Sequence, residues 1–222
     1  MSIKSSSESL LEDIHNLNID TKNREIYLQS PIEFEEEGGV DFRSGINFIK
    51  NMNYLASISY DPIFIHMYLP GGVWEDGLGI YDAIATCPCK TILLAYSKVQ
   101  SASSIILQAA DLRILMPNVH VLIHYGSLSI EDEHKAAMAS FQWSEKESQK
   151  MINIFTEKCL ESPMAQEKKW KKMIIKKHIM SQLANKSDWI LNAREAVYYG
   201  FADGVLGDSS FSDIHTIKYN YG

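Results

Sequence analysis

The tightest constraint on the fold is Ile63-Phe-Ile-His-Met-Tyr-Leu69, a near-continuous apolar run without alternation. A strand of that composition is covered on both faces, as in a parallel sheet. Pro70-Gly71-Gly72 then makes a tight turn, and residues 74–85 carry Leu78, Tyr81 and Ile84 at helical spacing. The order repeats: Thr91–Tyr96 reads as a strand, Ser101–Ala110 as a helix and His120–His124 as another strand. Strand–helix–strand repetition with short connections implies right-handed parallel crossovers, hence an α/β fold.

The flanks are less regular. Residues 1–23 are polar and serine-rich, with one apolar patch at Leu10, Leu11 and Ile14, and read as a loosely held arm with room for one helical turn. Arg24–Leu28 is a short strand, Glu33–Gly39 an acidic loop, and residues 41–57 place Phe42, Ile46, Ile49 and Leu55 on one helical face. After Ser129 the pattern is helical to about Leu183, with a break near Pro163. Asn192 caps a last helix, Glu195 completes a capping box and Gly200 ends it. Residues 208–222 are left as a tail.

Composition excludes several functions. With 21 basic and 28 acidic residues the net charge is -7, and such a surface repels phosphate backbones, so no nucleic-acid partner is expected. No apolar run approaches the ~20 residues that span a bilayer, and Met1-Ser-Ile-Lys has no signal-like apolar region. Three cysteines cannot all pair, and Cys87 and Cys89 stand beside no further metal-ligand cluster. A reducing setting follows as the expectation.

Four places can carry chemistry. Leu69-Pro70-Gly71-Gly72 ends a buried strand, where backbone N–H groups can face a cleft and hold an oxyanion, although such a turn also serves simply to enter a helix. Ser101 opens a helix after a strand, the setting of nucleophilic serines, but Ser97, Ser101, Ser103 and Ser104 are equally good helix caps. His124 ends a strand at the same sheet edge. Asp188, before the capped helix, can orient an imidazole or be a surface acid.

Together these segments resemble the proteolytic subunit of Clp protease, the ClpP family. Ser101 with Ala102, Ser104, Ala109, Asp111, Arg113, Pro117-Asn118 and Ile123-His124 resembles its active-site block. Pro70-Gly71-Gly72 with Gly77, Ile80, Tyr81, Asp82 and Ile84 resembles its glycine turn and following helix. Asp188-Trp-Ile-Leu-Asn-Ala193-Arg-Glu195-Ala196-Val-Tyr-Tyr199-Gly200-Phe-Ala-Asp203 is similar to its aspartate-containing segment. The likeness runs from about Arg24 to Gly207.

The resemblance implies a crotonase-like, ClpP-like superhelical α/β fold over residues 24–207. It also implies a serine endopeptidase with Ser101 as nucleophile, His124 as general base and acid, and Asp188 orienting the imidazole, while Gly71 and Ala102 N–H groups form the oxyanion hole. Polypeptide substrates, heptameric rings (two of them stacked) in the cytoplasm, no metal or organic cofactor, and a long handle helix, here residues 129–160, belong to the same implication; docking of an ATP-dependent unfoldase is left open. Residues 1–23 do not resemble the family's pore loop. Ser97-Lys98-Val99-Gln100 stands where the family has Gly-x-Ala before the serine, the segment after His124 has fewer glycines, and the basic run Lys168–His178 falls in an inserted helix over 163–184. These departures keep open a catalytically weak scaffold or partner-binding ring subunit. An acyl-CoA enzyme of the same general fold and a Ser–Lys hydrolase using Lys98 are the other rivals.

Overall fold

The computed structural model describes residues 6–30, 38–127 and 134–221. These residues form an eight-stranded sheet flanked by helices. The chain begins with α1 (Ser6–Glu12), a π-helical turn at Asp13–Leu17, and strands β1 (Ile19–Asp20) and β2 (Glu25–Gln29). Helix α2 (Phe42–Ile58), β3 (Ile63–Leu69), α3 (Trp74–Ala85), β4 (Thr91–Gln100), α4 (Ala102–Ala109), β5 (Leu112–Leu115) and β6 (His120–Ile123) follow. The chain ends with α5 (His134–Cys159), α6 (Pro163–Lys168), α7 (Lys172–Lys186), β7 (Trp189–Asn192), α8 (Ala193–Tyr198), β8 (Gly204–Val205) and α9 (Ile214–Tyr221).

The expected parallel register holds through the centre, where β3 pairs in parallel with β2 and β4, and β4 with β5. Alternate residues of these strands feed two cores. Ile63, Ile65, Met67, Leu93, Ala95 and Leu115 pack on the main helical layer. Phe64, Ile92, Leu94, Leu112 and Ile114 face the other way, against Phe211 and Ile217. Both faces are therefore covered, which is why β3 shows no polar alternation. The C-terminal segment is part of this second layer.

At the N-terminus, β1 joins the sheet antiparallel to β2 with Ile19 and Asp20 buried, so the described part of the polar arm is structured. The glutamate-rich loop expected over 33–39 and the first residues of the expected handle, 129–133, lie outside the described residues, Gly38 and Gly39 excepted. The helical stretch after Ser129 is interrupted twice, between α5 and α6 and again at Lys169, which takes φ 52° before Trp170 and Lys171. Along α5, Met151, Ile152 and Phe155 are buried in the chain's own core, whereas Met138 and Phe141 are exposed.

Candidate active site

Strand β4 positions the site by changing partners halfway along. Its first part pairs with β5, Ile92 through Ala95; its last part, Lys98 to Gln100, pairs with β6. The switch occurs at Ser97, whose φ of 60° puts a non-glycine residue in left-handed backbone. The kink carries Ser101 toward β6, where its N–H donates to Leu122 O at 3.0 Å. Two residues beyond Leu122 stands His124.

The antiparallel register of β6 with β7 does the rest. Ile123 lies opposite Trp189, so the next pair outward is His124 and Asp188. Their side chains meet, with Nδ1 3.3 Å from Oδ1. The imidazole's other nitrogen, Nε2, is buried and has no hydrogen-bond partner among the described residues. Ser101 and His124 line one cleft of about 490 Å³. Thus Ser101, His124 and Asp188 converge, but no hydrogen bond joins Ser101 to the imidazole.

Ser101 itself is held in an uncommon conformation, φ 54° and ψ −124°, at the strand-to-helix turn. Such backbone costs about 1–3 kcal/mol and persists only where the surroundings impose it. Its side chain makes no capping bond to α4. The capping role that the sequence allowed is therefore not the one its hydroxyl performs; instead Ser104 Oγ donates to Ser101 O at 2.6 Å.

Gly71 packs directly on this turn. It takes φ 109°, and a Cβ there would stand 2.5 Å from Gln100 O and 3.0 Å from the Ser101 Cβ, so only glycine fits. Its carbonyl is fixed by Val40 N–H. Ala102, first residue of α4, is buried against Gly77, and the first N–H groups of a helix have no intrahelical partner. Gln100, expected to crowd the nucleophile, turns its amide toward His120, with Nε2 3.3 Å from the ring Nε2. Neither Gln100 nor Lys98 lines the cleft.

Sequence reasoning missed the opposite wall. Trp74 and Glu75 at the start of α3 face Trp143, Ser144, Glu147 and Ser148 of α5 across the cleft. The four-residue spacing of Ser140, Ser144 and Ser148 marks one helical face and was the available signal. Trp74 Nε1 donates to Glu147 Oε2 at 2.9 Å, tying the two helices. Among the described residues no group of three or more His, Cys, Asp or Glu side chains can hold a metal, and no helix is long and apolar enough to cross a membrane.

Comparison with known proteins identifies the family and the fold. The family model for Clp protease matches residues 21–209. The ATP-dependent Clp protease proteolytic subunit 2 of Pseudomonas aeruginosa is 31% identical over 171 residues, covering 76% of this chain and 78% of that protein. The protein of the same description from Treponema denticola is 32% identical over 146 residues, 65% of this chain and 66% of its own length. Among solved structures, a mutant ClpP1 from Listeria monocytogenes superposes with a TM-score of 0.63 at 18% identity, covering 86% of this chain and 95% of its own, a likeness of fold.

Proposed function

Because the chain belongs to the Clp protease family, we propose that it is a serine endopeptidase that cleaves unfolded proteins or peptides through an acyl-enzyme. In this reading Ser101 Oγ attacks the scissile carbonyl while His124 Nε2 takes its proton; the same nitrogen then returns the proton to the leaving amine. Asp188, on Nδ1, keeps the imidazole in the tautomer whose Nε2 can accept. The Gly71 and Ala102 N–H groups hold the tetrahedral oxyanion, where losing one donor typically costs on the order of 10²–10³ in rate. Water enters by the same route to release the acyl group.

One observation carries the reading. The imidazole nitrogen remote from Asp188 is buried without a partner among the described residues, in the wall of the cleft that Ser101 lines. A histidine serving only stability satisfies both nitrogens. The distance from hydroxyl to imidazole closes when substrate is bound, as such bonds commonly tighten only in the complex. The exposed Met138 and Phe141 on α5 support assembly of the subunit into rings enclosing a chamber.

Cleavage of an unstructured fluorogenic peptide by the assembled chain tests this. Ser101→Ala and His124→Ala abolish cleavage and Lys98→Ala retains it; equal loss in Lys98→Ala supports a Ser–Lys mechanism, and an inert wild type supports a scaffold subunit.

A further inference from the structure

The cleft wall facing Ser101 has a chemistry that the peptidase reading does not use. Glu147 is 7% exposed, on the buried face of α5. Its Oε2 accepts from Trp74 Nε1. Lys150 Nζ pairs with Oε1 at 2.7 Å, and besides that ammonium the buried Oε1 has no donor among the described residues. Burial alone would raise this carboxyl's pKa; the Lys150 ammonium and the Trp74 N–H outweigh it and hold the group ionised.

The other charged group in the described lining is Glu75, and neither lysine nor arginine contributes to it. Serines 140, 144 and 148 add hydroxyl acceptors, and the indoles of Trp74 and Trp143 add aromatic surface. An anionic, aromatic, hydroxyl-rich cavity suits a cation with a flat apolar face. A carboxylate offers about four acceptor positions, of which Trp74 and Lys150 fill two.

Building on the peptidase reading, we propose that Glu147 is a specificity-determining residue, selecting substrates that place a cationic side chain, arginine above all, in this cleft. The guanidinium takes the place of the Lys150 ammonium on Oε1 and stacks on an indole. Lys150 is the internal competitor: its side chain is 56% exposed, and its ammonium also sits 5.5 Å above the Trp143 ring. A guanidinium is more weakly hydrated than an ammonium and displaces it. A neutral side chain in the same place would part Oε1 from the Lys150 ammonium without supplying a donor.

Matched fluorogenic peptides that differ at the residue before the scissile bond, arginine against its uncharged isostere citrulline, test this on the full chain. The arginine peptide is expected to have a kcat/KM about tenfold or more above the citrulline peptide, the size of one hydrogen bond to a charge. Glu147→Gln brings that ratio to about one, whereas Lys150→Ala raises it. A merely structural role for Glu147 lowers turnover of both peptides and leaves the ratio alone. Equilibrium binding of the same two peptides to Ser101→Ala reads the ratio without turnover. A ratio near one in wild type, or one that Glu147→Gln does not change, overturns the proposal even if both peptides are cleaved. A binding preference for arginine with no cleavage of any peptide overturns the peptidase reading and leaves the recognition standing.

Discussion

Among the described residues, two histidine–carboxylate pairs have nearly the same separation and opposite surroundings. His66 Nε2 lies 3.1 Å from Glu25 Oε2, and His124 Nδ1 lies 3.3 Å from Asp188 Oδ1. Around His66 everything is saturated. Its Nδ1 meets the Tyr96 hydroxyl at 3.1 Å, its ring stacks on Tyr27 at 5.0 Å, and Glu25 also takes the Tyr27 hydroxyl and the Lys218 ammonium of α9. Around His124 one nitrogen is empty, and the aspartate is half-exposed. The pair with no vacancy fastens the C-terminal helix to the sheet; the pair with a vacancy opens on a cleft.

The largest effect that can break this contrast is loss of turnover. His124→Ala is expected to lower kcat/KM by about 10⁴ or more with little change in thermal midpoint. His66→Phe should do the reverse, lowering the unfolding free energy by about 1–3 kcal/mol because Glu25 and Tyr96 lose a buried partner. Cleavage per folded molecule is then retained. If His66→Phe silences the protein and His124→Ala does not, the two pairs have been assigned the wrong way round. Asp188→Asn comes next, at about 10²–10⁴ in kcat; it falls at or below the loss seen for buried triad aspartates because Asp188 is 55% exposed.

The saturated pair also sets a pH dependence. Burial on its own raises the Glu25 carboxyl, but bonds and charge from His66 and Lys218 outweigh it and bring its pKa from the usual 4.5 to about 2. A carboxyl depressed by folding contributes stability that is complete above its unfolded pKa and is lost as pH falls through the folded one. Denaturant midpoints of wild type and Glu25→Gln should therefore differ at pH 6 and converge as pH falls from 4.5 toward 2. A gap that widens in acid contradicts the assignment. The smallest effect concerns the kink: Ser97→Gly, relieving the left-handed serine, should change stability by no more than about 1 kcal/mol, glycine's greater unfolded freedom offsetting part of the gain.

Much of this was legible before the coordinates because it rests on local signals. The apolar run of β3, the periodicity of α3 and the capping box at Asn192 and Glu195 all appear as read. What escaped was short or decided at long range. Strand β5 is four residues interrupted by Arg113, whose charge is neutralised only in the fold, by Asp203 ninety positions on, with bonds of 2.9 and 2.5 Å. Strand β7 hides between a helix and a helix cap, so the site aspartate looked like a loop residue rather than the end of a ladder. Ser97 carries no local sign that it must adopt left-handed backbone. The cleft's far wall depends on how α5 lies against α3, which periodicity alone does not reveal.

The role proposed for the open nitrogen of His124 is to activate Ser101. Reaction with a fluorophosphonate, followed by mass mapping of the adduct, measures this directly. The predicted result is a single adduct on Ser101 in wild type and in His66→Phe, and none in His124→Ala. An adduct elsewhere, or labelling of Ser101 at the same rate once the His124 imidazole is gone, would contradict it.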